Sequence, residues 1–525
     1  MSTTAPTPAA TGTEPAPQDR RSILLVFAGL MVAMLLSSLD QTIFSTALPT
    51  IVGELNGVDH MLWVTTAYIL ASTVMMPVYG KLGDLIGRKS IFIGAIGLFM
   101  LGSVIGGLAD SMGVLITGRA VQGLGGGGLM ILAQAIIADV VPARQRGRYM
   151  GIMGGVFAIS SVAGPLLGGF FTEGIGWRWA FWMNLPLGVL AIASAVFFLH
   201  LPVRQQTRPR LDVAGIMLLA VASTALVLTT SWGGTTYAWD SGVILGLIAL
   251  TVVAAVAFVL VEQRAAEPVM PLRMFRDRNF VLATSAGLIV GVAMFGALAY
   301  LPTYLQMVTG AGATKAGLLM IPMMGGLLVS STVSGQAVSR TGRYKVLPIV
   351  GTAIVAVALA LLSTMSAGTA VAITCLYLAV MGIGLGLCMQ ILVLVVQNSF
   401  PAREVGTATA ANNYFRQIGA SLGAAVVGTL FASRLADLLG GSAAAGHENS
   451  LTPDTVRGLP DAAREVVVNA YSDALTPVFL YLVPLMLAAT VLLMFVKEKA
   501  LATTIERDAA AVEPDTLGAP VTTTA

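Results

Sequence analysis

Long, continuous runs of apolar residues alternate with short polar segments along most of the chain. A helix needs about 20 apolar residues to cross the hydrocarbon core of a bilayer, and fourteen runs reach that length. They lie at 23–47, 61–82, 91–109, 113–139, 149–171, 178–200, 212–231, 241–262, 280–307, 315–338, 346–366, 370–397, 405–433 and 474–496. Membrane-spanning strands would alternate apolar and polar residues over about ten positions. The pattern therefore predicts an all-α integral membrane protein with fourteen transmembrane helices.

The composition supports a lipid environment. Of the 525 residues, 56% are hydrophobic and 10% are charged, whereas about 25% are charged in a typical soluble chain. The net charge of +3 is too small to indicate nucleic-acid binding. The two cysteines, Cys375 and Cys388, fall in one apolar run, which excludes a disulfide framework and a cysteine-rich metal site. We expect neither a metal nor a cofactor.

The distribution of basic residues predicts the orientation of the chain. If the N-terminus is inside, 22 of the 29 Lys and Arg residues fall in inner segments and five in outer ones, as the positive-inside rule requires. Both termini are therefore predicted to be cytoplasmic, with the protein in the cell membrane. A cleaved signal after Arg20 and Arg21 is disfavoured, because the apolar run is too long and contains Asp40.

Two pairs of short motifs recur in the two halves of the chain. The turn at 80–89 is echoed at 335–343 by its glycines and final arginine, and the Pro-Ala-Arg segment at 142–144 recurs at 401–403. The sequence therefore predicts two related bundles of six helices with two helices inserted between them. Such halves place a substrate site near the midplane at their interface.

The predicted organisation has five parts. They are a disordered tail at 1–21, an N-terminal bundle at 22–200, two inserted helices with flanking loops at 201–279, a C-terminal bundle at 280–497 with an outer loop at 434–473, and a second disordered tail at 498–525. The tails are assigned from their polar, Thr-, Ala- and Pro-rich composition. The outer loop is either a lid or a spacer.

Short motifs stand at defined places in the predicted helices. They lie at 39–43 and 47–49 in the first helix, 80–89 after the second, 119–123 in the fourth, 164–169 in the fifth, and 176–181 and 184–186 at the sixth. Together they resemble the major facilitator superfamily, in its fourteen-helix drug:proton antiporter branch, over roughly residues 22–500. The resemblance implies a secondary transporter of the bacterial multidrug and quaternary-ammonium efflux type.

Asp40 lies well inside the first predicted helix, where an ionisable residue is a functional candidate by default. If that helix ends near Pro49, Asp40 is about 13 Å below its outer end, and Arg119 is about 9 Å into the fourth helix from the same side. The two can therefore pair, and Gln122 lies one turn further on. We predict that this group couples proton movement to transport, with proton and cationic substrate competing for the carboxylate. A solvated acid at the boundary is the alternative.

The resemblance also implies a cytoplasmic gate. Its residues are Gly80, Asp84, Gly87, Arg88 and Asp139. In this interpretation Asp84 caps a helix of the other half, and Arg88 pairs with Asp139 when the protein opens outward. Ordinary positive-inside charge is the alternative. The second copy of the turn has Ser339 where the first has Asp84, so we expect a weaker latch there.

Glycines spaced by four predict close packing of the fifth helix. Gly151 and Gly155 form one pair and Gly164 and Gly168 a second, and small residues at this spacing let helices approach. Pro165 removes a backbone hydrogen bond and can kink the helix, and Gly169 completes the motif. We expect a close seam against the other half. The glycine-rich run at 123–128 follows no strand, so it does not indicate a nucleotide site.

Polar and aromatic residues inside the predicted helices are candidates for the substrate cavity, although many such residues face lipid or neighbouring helices. The candidates are Trp63, Tyr68, Phe181, Asn184, Phe295, Tyr300, Tyr304, Gln390, Asn412 and Arg416. Arg416 has no evident acidic partner in the sequence. The ninth and tenth helices contain no acid, so we expect lipophilic monocations or neutral amphiphiles rather than divalent cations.

Three other functions stay open at this point. The same fold would serve an exporter of one endogenous lipid or secondary metabolite, and sequence does not fix the direction of transport, so an importer is possible. A membrane-embedded enzyme or sensor is disfavoured, because the three histidines are widely separated and catalytic motifs are missing from the sequence. The expected partners are protons, a lipophilic small molecule and membrane lipid.

Overall fold

A computed structural model describes residues 20–55, 57, 60–201, 211–439 and 453–504. In these residues the regular elements are helices, together with a single β-bridge between Gly233 and Tyr237. Fourteen helical segments are long and apolar enough to cross a membrane, which confirms the number predicted from the apolar runs. The predicted tails lie outside the described residues, except for 20–21 and 498–504.

The first part of the chain forms seven helices. They are α1 (Arg20–Glu54), α2 (Met61–Ile86), α3 (Arg88–Gly107), α4 (Met112–Val140), α5 (Ala143–Phe170), α6 (Trp179–Trp182) and α7 (Asn184–Phe198). A short π-helix, Phe171–Ile175, follows α5. The two inserted helices are α8 (Val213–Trp232) and α9 (Gly242–Glu262).

The rest of the described chain forms nine helices. They are α10 (Arg278–Leu298), α11 (Leu301–Thr309), α12 (Ala313–Leu319), α13 (Ile321–Thr341), α14 (Val346–Ser363), α15 (Val371–Gln397), α16 (Val405–Leu439), α17 (Pro453–Arg457) and α18 (Asp461–Met494). Short 3-10 turns at Leu272–Arg276 and Ala402–Glu404 precede α10 and α16.

Several helices are longer than their apolar runs. Helix α1 continues through Pro49 to Glu54, although we expected it to end near Pro49. Helix α18 begins at Asp461, inside the predicted outer loop, and continues without a break through the last span, and Arg464 pairs with Asp461 at 2.9 Å near its start. Polar residues can thus extend a helix into water, where hydropathy no longer marks it. The middle of the predicted outer loop, 440–452, lies outside the described residues.

Helices α1 to α7 form one group and α10 to α18 another, and most helices pack mainly within their group, whereas α5 contacts α13 more than any helix of its own. The two groups meet where α2 packs on α16 and α5 packs on α13. Helix α8 contacts both α2 and α16, whereas α9 packs mainly on α8. Only 17% of the most apolar window of α9 is buried, so its side chains face lipid. The inserted helices therefore lie beside the junction of the two groups.

Candidate functional site

Asp40 on α1 is completely buried and accepts hydrogen bonds from three side chains. Arg119 Nη1 lies 2.5 Å from Asp40 Oδ2, and the two form an ion pair. Gln122 Nε2 and Asn184 Nδ2 donate to Asp40 Oδ1 at 3.0 and 3.2 Å. A buried carboxylate is stable only when it is paired and hydrogen-bonded. The four residues, which we call the acid cluster, meet this requirement.

Further contacts hold the acid cluster in place. Gln122 Oε1 accepts a hydrogen bond from Arg119 Nη1 at 2.8 Å, and Ser103 Oγ lies within hydrogen-bond distance of both Gln122 and Asn184. The guanidinium also lies over two aromatic rings, with Arg119 Cζ 4.2 Å from the centroid of Phe44 and 4.4 Å from that of Tyr68. Cation–π contacts of this kind stabilise a desolvated arginine.

Glycines bring α3 and α4 close enough for the acid cluster to form. A Cβ at Gly118 would lie 2.7 Å from the backbone nitrogen of Gly106, and a Cβ at Gly102 would lie 2.7 Å from the Gly118 oxygen. Both substitutions would therefore push the two helices apart. This close approach lets Gln122 on α4 reach Ser103 on α3.

A second polar cluster joins α2 to the beginning of α16, on the predicted cytoplasmic side. Asp84 Oδ2 accepts hydrogen bonds from the amide and hydroxyl of Thr407 at 2.7 and 2.8 Å, and Asp84 Oδ1 accepts one from the amide of Gly406 at 3.2 Å. A carboxylate at a helix N-terminus satisfies free amides and complements the helix dipole. Asp84 thus caps a helix of the other group.

Arg88 completes this polar cluster. Its guanidinium pairs with Asp84 at 2.7 Å and with Asp139 at 2.5 Å, and it donates to the carbonyl of Ala402 at 3.0 Å. Gly87, between α2 and α3, has a φ of 112°, which favours glycine. A Cβ at Gly80 would lie 2.8 Å from the Gly406 oxygen. The structure therefore brings together the five residues of the predicted gate.

The second glycine pair of α5, Gly164 and Gly168, packs on α1 and not on the other half as expected from the sequence. Gly164 faces Thr42, whose hydroxyl donates to the Ser160 carbonyl at 2.9 Å, and Gly168 faces Thr46. Spacing shows which face of a helix is small but not which neighbour covers it. Gly169 has open space around it.

The expected seam with the other half lies nearer the N-terminus of α5, at the first glycine pair, Gly151 and Gly155, which faces α13. A Cβ at Gly147 would lie 2.9 Å from the Gly335 oxygen of α13. The Ser331 hydroxyl of α13 donates to the Gly151 carbonyl at 3.1 Å. The two backbones are therefore in direct contact. The Pro165 carbonyl accepts a hydrogen bond from Thr46 at 3.3 Å, so Pro165 belongs to the α1 seam instead.

One cavity is lined by residues of both groups. Its polar wall includes Ser37, Ser38 and Gln41 from α1, and Gln390, Asn413, Arg416 and Gln417 from α15 and α16. Five methionines contribute to the apolar wall, namely Met34, Met76, Met130, Met294 and Met389. Methionine suits a surface that must adapt to varied ligands. Among the described residues of the lining, Arg416 carries the charge and none is an acid.

The comparisons with known proteins agree with this architecture. A family model described as the Major Facilitator Superfamily matches residues 30–424. The chain belongs to the major facilitator superfamily. It is a transporter rather than an enzyme, and a multi-pass membrane protein. The match confirms the family resemblance that the motifs indicate.

Individual superfamily members give the degree of similarity. An uncharacterized MFS-type transporter of Mycobacterium tuberculosis is 42% identical over 502 residues, covering 94% of this chain and 72% of its own. The multidrug transporter protein MdtP of Bacillus subtilis is 37% identical over 424 residues, covering 80% and 77%. The solved proton:xylose symporter XylE aligns with a TM-score of 0.62 at 14% identity, covering 92% and 98%, and shows the fold alone.

Within this superfamily fold, three of the predicted cavity residues line the cavity. They are Phe295, Gln390 and Arg416. Asn412 is buried beside the lining residue Asn413, and its Oδ1 has no hydrogen-bond partner. Asn184 and Tyr68 instead surround the acid cluster.

The other predicted cavity residues pack elsewhere. Trp63 lies edge-on to Trp232 of α8, with ring centroids 5.7 Å apart, and Phe181 lies against Phe44 at 5.0 Å. The hydroxyl of Tyr300 donates to the Ala424 carbonyl at 3.1 Å, while that of Tyr304 lies 3.4 Å from Ser472 Oγ. Aromatic or polar character alone does not reveal which face of a helix is turned to the cavity.

The sequence interpretation missed contacts that join the clusters to the cavity. Ser37 lines the cavity, and its hydroxyl lies 3.2 Å from the hydroxyl of Tyr68, whose ring stacks on Arg119. Across the two groups, Asn413 donates to Gln134 Oε1 at 3.0 Å. Gln134 is a polar residue within the predicted fourth helix, which is the signal that could have found it.

Proposed function

We propose that this protein exports lipophilic amphiphilic small molecules in exchange for protons, with Asp40 as the proton-binding group. The observation that carries the proposal is the acid cluster, in which a completely buried carboxylate pairs with a buried arginine next to a cavity shared by both groups of helices. Two relatives from Bacillus subtilis, named multidrug transporter protein MdtP and multidrug resistance protein 3, add support. In this proposal the bundles 22–200 and 280–497 alternate in opening to the two sides.

The contacts of Arg119 support a reversible proton switch. Burial favours the neutral acid and the guanidinium favours the carboxylate, so movement of either partner changes proton affinity. When Asp40 takes a proton from the outer water, Arg119 retains its hydrogen bond to Gln122 Oε1 and its cation–π contacts with the rings of Phe44 and Tyr68. The arginine therefore tolerates the loss of its counter-ion until the proton leaves to the inner water.

The geometry favours coupling through α1 over competition for one site. Asp40 is absent from the cavity lining, and its oxygens are occupied by Arg119, Gln122 and Asn184. However, Ser37, Ser38 and Gln41 of the same helix turn do line the cavity. A shift of α1 that follows protonation therefore changes the substrate surface, and bound substrate in turn biases the position of α1.

The close seam between α5 and α1 would carry this movement further. Thr42 and Thr46 of α1 donate to backbone carbonyls of α5, and the same α5 contacts α13 of the other bundle. Packed helices move as units because their contacts are dense. A change at Asp40 thus reaches the junction between the bundles.

The driving force is sufficient for uphill export. A difference of one pH unit supplies about 1.4 kcal/mol per proton, and 100 mV adds about 2.3 kcal/mol for each charge moved. Together these would maintain a concentration ratio of roughly several hundred for a neutral substrate. An exporter of one endogenous lipid or secondary metabolite would use the same chemistry, and a panel of substrates separates the two.

The test is Asp40→Asn in inverted membrane vesicles with an imposed proton gradient, using a fluorescent neutral amphiphile. We expect uphill uptake to be lost, whereas downhill movement persists, because the amide cannot carry the proton across. Asp110→Asn is the matched control, since Asp110 is exposed in the turn between α3 and α4. Normal gradient-driven uptake by Asp40→Asn would overturn the proposed role of this carboxylate.

A further inference from the structure

Arg416, which is partly buried, differs from the buried arginines Arg88 and Arg119 in having no acidic partner. Arg88 pairs with two carboxylates and Arg119 with one. Arg416 Nη2 donates to Asn413 Oδ1 at 2.6 Å, and Asn413 is neutral. No carboxylate among the described residues forms an ion pair with Arg416. An arginine at membrane depth without a counter-ion is costly, so such residues commonly mark the path of a ligand.

The position of Arg416 makes this charge available to a substrate. It lines the cavity together with Asn413 and Gln417 of the same helix. On the facing helix α15, Gln390 also lines the cavity, and its Oε1 is buried without a hydrogen-bond partner. The cavity therefore offers the Arg416 guanidinium as its charged donor beside an apolar, methionine-rich wall, whereas the free Gln390 oxygen can only accept a hydrogen bond from a hydroxyl or amide of the substrate.

We propose that the substrates of this cavity are lipophilic monoanions, whose carboxylate- or sulfonate-type group binds Arg416. This inference rests on the proposed export function and names its substrate class. A guanidinium matches the two oxygens of such a group, while the methionines Met34, Met130 and Met389 accept the apolar part. A cation would instead meet an unneutralised positive charge. The monocations expected from the sequence are therefore the disfavoured class.

The charge of the substrate also determines the energetics of exchange. If one proton enters for each monoanion that leaves, two positive charges in effect move inward. The same exchange with a monocation moves no net charge. Membrane potential alone should therefore drive export of the anion, even when the pH is equal on both sides.

The first experiment measures binding, which does not depend on proton coupling. The full-length protein is placed in nanodiscs of phosphatidylcholine and titrated with three probes that share one fluorophore and alkyl chain but end in a sulfonate, a primary amide or a trimethylammonium group. We expect the sulfonate to bind on the order of tenfold to hundredfold tighter than the trimethylammonium probe, as a charge-assisted pair requires.

Variants locate the effect at Arg416. Arg416→Gln should weaken sulfonate binding by a similar factor and leave the amide probe nearly unchanged, whereas Arg416→Lys should retain part of the preference. Arg434→Gln on the same helix, outside the cavity lining, is the matched control. The proposal is overturned if the trimethylammonium probe binds wild-type protein as tightly as the sulfonate, or if Arg416→Gln weakens all three probes equally.

A transport arm separates this proposal from the proposed function. Sulfonate uptake into inverted vesicles is measured with a potential and no pH difference. Sulfonate preference without gradient-driven transport would support the anion site and count against proton-coupled export. In a second measurement with a pH difference, which drives exchange of either probe, transport of the trimethylammonium probe in preference to the sulfonate would overturn the anion site alone. Adding phosphatidylglycerol to the nanodiscs distinguishes two sources of the anionic group. If this lipid competes with the sulfonate probe, the site binds a lipid headgroup; if it does not compete, the site binds a free amphiphile.

Discussion

The two contacts between the bundles on the predicted cytoplasmic side are related by the internal repeat but are held by different forces. At one, Asp84 of α2 caps α16 through Gly406 and Thr407. At the other, Ser339 of α13 accepts a hydrogen bond from the amide of Arg148, near the start of α5, at 3.1 Å. At both contacts a side chain therefore accepts a hydrogen bond from an amide near the start of a helix. The acceptor is the buried Asp84 carboxylate at the first contact and the Ser339 hydroxyl at the second.

Backbone packing replaces charge at the second contact. Gly335 and Gly147 bring the backbones of α13 and α5 together, and Ser331 donates to the Gly151 carbonyl. A hydroxyl cap alone would predict a weaker latch, but α5 and α13 also make extensive contact along their lengths. A contact held by a carboxylate can open when its hydrogen-bond partners change, whereas a contact held by backbone packing opens only when the two helices separate. We therefore propose that the Asp84 contact is the release point and the α5–α13 contact the pivot.

The largest effect should come from Asp84→Ala. This change leaves the amides of Gly406 and Thr407 without a cap and removes one of the two carboxylates of Arg88. Loss of one partner from a buried charge network costs about 3 kcal/mol or more, so the closed contact should be strongly weakened. Pulsed electron paramagnetic resonance between spin labels at Leu25 and Val346, at the predicted cytoplasmic ends of α1 and α14, should show longer distances.

The label pair needs a background without reactive thiols, which Cys375→Ser and Cys388→Ala provide. Asp110→Ala is the control, because this exposed acid touches neither contact. If Asp84→Ala keeps the distance distribution of the parent protein, the capping carboxylate does not hold the contact closed, and the comparison between charge and packing fails.

The fold could be predicted because each apolar run had to form a helix in lipid. The helix ends could not be predicted in this way, since α1 extends to Glu54 and α18 begins at Asp461, both outside the predicted apolar runs. Outside the hydrocarbon core a helix is stabilised by local ion pairs and by neighbours, and neither leaves a hydropathy signal. The same reasoning explains why two spans of the sequence carry polar extensions that look like loops.

The candidate site could be predicted only for residues whose contact is determined by their depth along a helix. Asp40 and Arg119 meet because both lie at a similar depth, which can be counted from the sequence. Asn184 and Ser103 reach the same cluster through the rotation of α7 and the close approach of α3 and α4. That rotation depends on tertiary packing, so the sequence assigned Asn184 to the cavity instead of to the acid.

A smaller effect is expected from Gly335→Ala at the packed contact. The new Cβ would meet the backbone of Gly147, and overpacking of this kind typically costs about 1–3 kcal/mol. The same label pair should therefore shift less than in Asp84→Ala. Gly325→Ala on the same helix is the control, since a Cβ there meets nothing within 4 Å. Equal distance distributions in Gly335→Ala and Gly325→Ala would remove the proposed pivot.

The smallest effect should come from Ser339→Asp, which makes the second contact resemble the first. A carboxylate facing the Arg148 amide should stabilise the start of α5 by about 0.5–1 kcal/mol, so the label distances should narrow and transport should slow. Because Ser339 is partly exposed whereas Asp84 is buried, high salt should cancel the gain but leave the Asp84 contact intact. Gln336→Asp, exposed on the same helix, adds the same charge away from that amide. If both variants narrow the distances equally, general charge rather than capping governs this contact, and position 339 loses its equivalence to position 84.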